Sequence, residues 1–258
     1  MPTDAVGTRA WRDRTGGALT RRERLAHQAG AIAVLSADLP SRVRFRRSSG
    51  ADGLAAAALP PVTDLVRATT VWAERVHEPW LLRHGLRTWL FGRLLGQLDG
   101  VEADAETLYL ACLLHDVGLT DEYRVPSGDS GMACRCFAVH GAHVSEEKLL
   151  ELGASPLLAS EVADAIGMHL NHKVGVESGG PAHLLNQGAA LDVVGVRASD
   201  LGRRLVSDVL AQHDRTGFAG QLLGVIRVEN KERASARMAS FFGVGMGTAI
   251  RLNPLNRL

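Results

Sequence analysis

The dyad His115-Asp116 closes an apolar run, Leu108-Tyr109-Leu110-Ala111-Cys112-Leu113-Leu114, and is followed by Val117-Gly118. Imidazole nitrogen and carboxylate oxygen both ligate divalent metals such as Zn, Fe, Mn or Ni. Packing alone does not account for two such groups side by side at the end of a buried helix. One helix cannot surround a cation, so the dyad gains chemistry only if neighbouring elements bring further donors. His84, His140, His169 and Asp192 stand at helical positions, each gap being about one helix plus a connection. A set of this kind with an open position is a catalytic metal site. It brings the pKa of bound water down toward neutrality, and the hydroxide attacks a polarised carbon or phosphorus.

Each donor has an ordinary reading beside the chemical one. His84 shares an apolar helix face with Leu81, Leu82, Leu86, Trp89 and Leu90, where a histidine can also be a hydrogen-bonded core residue. His140 and His143 are three apart, as are His169 and His172, so the members of each pair point roughly the same way. Only one of each pair need be a ligand; His143 and His172 read as pocket-lining groups or as plain surface residues. Gly141-Ala142 lets the helix of His140 approach a neighbour closely. Asp192 stands in an otherwise apolar stretch, and a buried carboxylate there requires a cation or an arginine to compensate it.

The elements that carry these residues follow from the apolar spacing. From Pro60-Pro61 onward, apolar residues recur at three and four, predicting helices over 61–77, 79–98, 104–117, 134–152, 156–170, 182–196 and 199–213. Gly100, Gly118 and Gly153 read as C-terminal caps, and Asp104 with Glu106 as an acidic first turn. Residues 216–242 are also expected to be helical, followed by an irregular Gly-rich tail. Trp72, Trp80, Trp89, Phe91 and Phe137 fall at helical spacing and are expected in the core. The fold class is all-α: a single helical bundle over 60–215, with a basic N-terminal arm over 1–59 and a C-terminal helix and tail over 216–258 packed on the same domain.

The arm is set apart by its arginines, among them Arg9, Arg12, Arg14, Arg21, Arg22 and Arg24. The alternating run Arg42-Val43-Arg44-Phe45-Arg46-Arg47 reads as a short strand or an anion-attracting patch, and Ser48–Gly53 as a loop. A charge run of this kind is usually a solvated face, and the arm is expected to be solvated. Over the whole chain of 258 residues, 29 basic against 28 acidic side chains leave a net charge of +1. That balance gives no reason to expect a nucleic acid or a membrane as partner; a small-molecule substrate is expected, with a homo-oligomer left open. Cys112, Cys134 and Cys136 are too few for a disulfide framework. Cys134-x-Cys136 lacks the second pair that a structural zinc site requires. No uninterrupted apolar stretch reaches the roughly 18 residues of a membrane span, and no apolar signal core opens the chain, so a cytoplasmic location is expected.

The stretches His84-Gly85-Leu86-Arg87-Thr88-Trp89-Leu90-Phe91-Gly92 and Glu106–Thr120 resemble the HD superfamily of metal-dependent hydrolases. Within it the likeness is to the cyanamide hydratase branch, which carries a similar arginine and Phe-Gly after the first histidine and a threonine after the dyad. Phe137–Ala142, Ala165–His169 and Leu185–Gly195 match in order and kind, so the resemblance spans roughly residues 64–200. It implies His84, His115, Asp116 and Asp192 as ligands of one metal. It departs from the branch at Ala138, where a glutamate is usual, and at His140. With His140 and His169 as further ligands, the inventory resembles members that hold two ions, zinc or iron, with Asp116 bridging.

The resemblance implies a metal-dependent hydrolase or hydro-lyase. As a hydratase, it would add hydroxide to a nitrile-like or amidine-like carbon, with His140, His169 or Thr120 orienting the substrate or moving its proton. As a phosphohydrolase, Arg87 or the N-terminal arginines would meet the phosphate. As a diiron oxygenase, two irons would activate dioxygen. The alternative from another class is a non-catalytic module that senses a small ligand, against which an intact ligand set argues.

Overall fold

The computed structural model describes residues 4–38, 59–124 and 136–258, and among these it is all-helical, with twelve α-helices and no strand. The arginine run 42–47, the tract 48–53 and Cys134 lie outside the described residues. Seven helices follow the expected pattern: α3 Asp64–Val76, α4 Pro79–Asp99, α5 Ala105–Leu114, α6 Phe137–Glu151, α7 Pro156–Met168, α8 Gly180–Val194 and α9 Ala198–Gln212. Their ends are set by local chemistry. The side chains of Thr63, Asp104 and Ser155 cap α3, α5 and α7 by accepting backbone N–H groups of Val66, Thr107 and Leu158. Gly100 and Gly195 end α4 and α8 in the left-handed conformation, φ 67° and 79°. Gly118 is not such a cap: it sits in a 3-10 turn, Val117–Leu119, where a Cβ would stand 2.3 Å from the Phe137 carbonyl oxygen.

The expected solvated arm is corrected over its described part, which forms two packed helices, α1 Arg9–Thr15 and α2 Arg21–Asp38. Trp11 is fully buried and donates through Nε1 to Glu23. Arg12 is buried beside it, donating to the Ala163 carbonyl and to Asp164, while Arg9 pairs with Glu146. Arg9 and Arg12 are three apart on one helix face, and acidic groups on α6 and α7 meet that face. Residues 216–242 divide into α10 Phe218–Glu232 and α11 Arg237–Phe242. The tail holds α12 Met246–Arg251 and a 3-10 turn, Pro254–Arg257, rather than irregular chain.

Two apolar clusters result. The larger joins α3 to α9 and contains Trp72, Trp89 and Phe91. The second contains Trp80 and Phe137 and brings in Trp11, Phe218, Ile226 and Ile250 from the terminal segments. All five aromatic residues expected in the core are buried. Close approach of α4 and α8 depends on Gly188, where a Cβ would lie 2.3 Å from the Thr88 carbonyl oxygen. Gly85 does the same for α4 against the C-terminal end of α5, with a Cβ at 2.9 Å from the Cys112 oxygen. These contacts bring His84 to both the dyad and Asp192. No helix among the described residues is long and apolar enough to cross a membrane.

Candidate metal centre

His84 projects from the first turns of α4, the dyad lies at the C-terminal end of α5, and His169 caps the C-terminus of α7. His84, His115 and Asp116 form a buried group whose donor atoms lie within 4.8 Å of one another. His84 Nε2 is 3.1 Å from His115 Nε2, and the two nitrogens are 3.6 and 3.3 Å from Asp116 Oδ2. The other carboxylate oxygen, Oδ1, faces His169 Nε2 at 3.6 Å.

The second nitrogen of each ring decides what these contacts mean. His115 Nδ1 lies 2.8 Å from the Cys112 carbonyl oxygen, His169 Nδ1 2.7 Å from that of Ile166, and His84 Nδ1 2.6 Å from Asp192 Oδ2. A carbonyl or carboxylate oxygen can only accept, so all three Nδ1 atoms carry the proton and all three Nε2 atoms present lone pairs. With the ring protons placed on Nδ1, the contact between His84 and His115 sets lone pair against lone pair. A divalent cation relieves that arrangement, and the donor set fits one: imidazole nitrogens with fixed tautomers and a carboxylate. Burial favours the neutral form of His115 and His169. It pushes the His115 pKa down, and it takes His169 down to about 3 with help from His115. Burial alone would raise the Asp116 carboxyl; the imidazoles of His115, His84 and His169 outweigh it and hold the group below its ordinary value.

Asp192, expected as a ligand, stands behind His84 instead. Besides His84 Nδ1, its carboxylate accepts from Arg87 Nε and Nη2, both at 2.9 Å, and from Arg215 Nε at 3.1 Å. An ionised carboxylate offers about four lone-pair sites, so these donors leave none over for a metal. Burial would raise this carboxyl, yet Arg87, His84 and Arg215 hold it far below the usual carboxylate range. Arg87, expected to meet substrate, is likewise consumed, its remaining nitrogen donating to the Asp214 carbonyl. Thr120 is buried and donates its hydroxyl to Val117 O, ending the 3-10 turn. His140 is not among the clustered donors. It is half-buried and hydrogen-bonded to the Tyr123 backbone, with its pKa lowered by burial. His143 is half-buried away from the cluster, whereas His172 lines the cavity described next.

His84, His115, Asp116 and His169 line a cavity of about 100 Å³. Its walls are apolar: Val34 and Leu35 of α2, Val193 and Val194 of α8, Leu222 and Ile226 of α10. No lysine or arginine lines it among the described residues. Three contributors were not foreseen. Arg215 is signalled only by the need for a counter-cation at Asp192. Asn186 carries no periodic signal. The α2 wall was hidden by the arginine content of its segment.

The HD domain profile matches residues 81–209, half of the chain and the segment that carries every clustered donor. The chain belongs to the HD domain family. No curated protein matches it. HD superfamily members are mostly metal-dependent hydrolases, and the His84-His115-Asp116 cluster is the candidate site for a divalent metal in this HD domain.

Proposed function

We propose that this HD domain protein is a metal-dependent hydrolase or hydratase that uses one divalent ion, zinc or iron, on a small uncharged substrate. The observation that carries the reading is the pairing of converging Nε2 lone pairs and Asp116 with an apolar cavity free of lysine and arginine among the described residues. When bound, the ion would act as a Lewis acid and lower the pKa of water toward neutrality. His84, His115 and Asp116 would hold it, with His169 beside them.

Three protein donors leave an open position, the pattern of catalytic rather than structural sites. A single ion is favoured because His140 faces Tyr123 and, among the described residues, only His169 is an ion-pair partner of Asp116 at Oδ1. A phosphate dianion would enter an apolar chamber with no arginine among the described residues to receive it, at a desolvation cost that Asp116 would increase. A neutral molecule meets no such penalty. The volume suits a few heavy atoms, since a cavity of about 150 Å³ holds benzene. His169 Nε2, neutral and unprotonated, can accept a hydrogen bond from water or substrate and so orient it at the open position. Among neutral substrates, the likeness to the cyanamide hydratase branch favours a nitrile-like or amidine-like group.

Elemental analysis of the purified chain, with assays on small nitriles, amides and phosphate monoesters, tests this. One ion per chain is expected, retained in His140→Ala and lost in His115→Ala, with turnover of neutral compounds only. Two ions per chain, loss of metal in His140→Ala, or turnover confined to phosphate esters would overturn it.

A further inference from the structure

We infer that Asn186 orients the substrate, accepting through Oδ1 a hydrogen bond from an N–H or O–H group, so that the cavity selects neutral molecules bearing a donor. The inference rests on the proposed role of this cavity as the substrate site. Asn186 projects from α8, is only 5% exposed and lines the cavity. Its Nδ2 donates to the carbonyl oxygens of His169 at 2.9 Å and Asn171 at 2.8 Å. Two carbonyls can only accept, which fixes the amide orientation and spends both of its hydrogens. Oδ1 is left with no partner among the described residues.

An acceptor unpaired in an apolar chamber favours an occupant that brings a donor, and it disfavours an isostere that lacks one. The other amide in the cavity wall is already committed: Asn171 donates to the Val6 carbonyl and accepts from Arg237. His172 also lines the cavity, but it is exposed and its ring packs on α2 at Gly30, edge-on to His27 at 5.8 Å. Asn186 bonds to the His169 backbone and lines the same chamber as His84, His115, Asp116 and His169. A donor held by Oδ1 would therefore share that chamber with the open metal position.

Pyrrole and furan test this on the full-length, metal-loaded chain. They match in size, neither heteroatom is a strong metal ligand, and only pyrrole has an N–H. By titration calorimetry or ligand-observed NMR, pyrrole is expected to bind about tenfold more tightly than furan. The preference should persist in His172→Ala and vanish in Asn186→Ala. Equal binding of the two rings to the unaltered chain, or a preference lost in His172→Ala, would overturn the inference whether or not Asn186→Ala folds. Failure of both rings to bind a chain that holds one ion would overturn the cavity as the substrate site. Failure to hold any ion would overturn the proposed function itself.

Discussion

Asp192→Asn separates the charge of this residue from its shape. The carboxylate accepts four hydrogen bonds, from His84 Nδ1, Arg87 Nε, Arg87 Nη2 and Arg215 Nε; it and Arg87 are fully buried, and Arg215 is buried. Asparagine offers one acceptor oxygen, so roughly half of those donors lose their acceptor and the new N–H₂ points at a donor. Breaking a buried ion pair by removing one partner costs about 3–5 kcal/mol. For a chain of this size, at roughly 2–4 °C per kcal/mol, the melting midpoint should fall by about 6–20 °C. The effect on the metal is separate. Where the asparagine N–H faces His84 Nδ1, the imidazole proton is driven to Nε2 and its lone pair is closed. Loss of such an outer partner lowers metal affinity by about 10–100-fold. Thermal melts of the metal-free and loaded chain, with metal affinity from chelator competition, measure both quantities. An unchanged midpoint would refute the network argument. Complete loss of metal at a native midpoint would make Asp192 a direct ligand and refute its placement behind His84.

Acid should weaken the fold below neutrality. Burial lowers the pKa of both His27 and His77 to about 4 from 6.5, so the unfolded chain binds more protons between these values. Stability is full above pH 6.5 and is lost as pH falls toward 4, by at most about 2.7 kcal/mol per pH unit for the two groups together. Urea titrations of the metal-free chain at pH 7.5 and 5 read the difference, and equal midpoints would refute it. Trp11→Ala should cost about 3–5 kcal/mol, as for other fully buried large side chains; a melting midpoint unchanged from the native chain would restore a solvated arm.

Much of the site could be read from the sequence because its donors sit in contexts that packing does not explain. His115 and Asp116 end an apolar helix, and His84 and His169 each stand among apolar residues, so their types alone single them out. The orientation of each helix about its axis could not be read. His140 and His143 are one turn apart, and a modest rotation of α6 decides whether either reaches the dyad; the close packing of Gly118 on Phe137 fixes that rotation and aims His140 at Tyr123. Asp192 was legible as a buried carboxylate needing compensation, but not which group compensates it. Arg87, three residues after His84, shares its face, whereas Arg215 arrives from beyond α9. The packing of the arm is hidden from the sequence for a related reason. Arginine density suggests solvent unless the acidic partners are known, and Glu146 and Asp164 lie on helices far along the chain.

Under the proposed function, the metal donors and the chamber walls come from different parts of the chain. Every clustered donor lies within 81–209, but the chamber beside them is also lined by Val34 and Leu35 and by Leu222, Ile226, Met238 and Phe241. Donor positions are constrained by tautomers and distances, whereas wall residues need only fill space, so the walls can change the substrate without disturbing the metal. His27 joins the two parts. Its Nε2 donates to the Leu170 carbonyl, in the turn that follows His169, and its Nδ1 then accepts from Ser240 on α11. One imidazole thus ties both terminal walls to the turn that carries a clustered histidine. Displacing α2 or α11 would therefore alter the position of His169 as well as the shape of the chamber, and the terminal segments form part of the site.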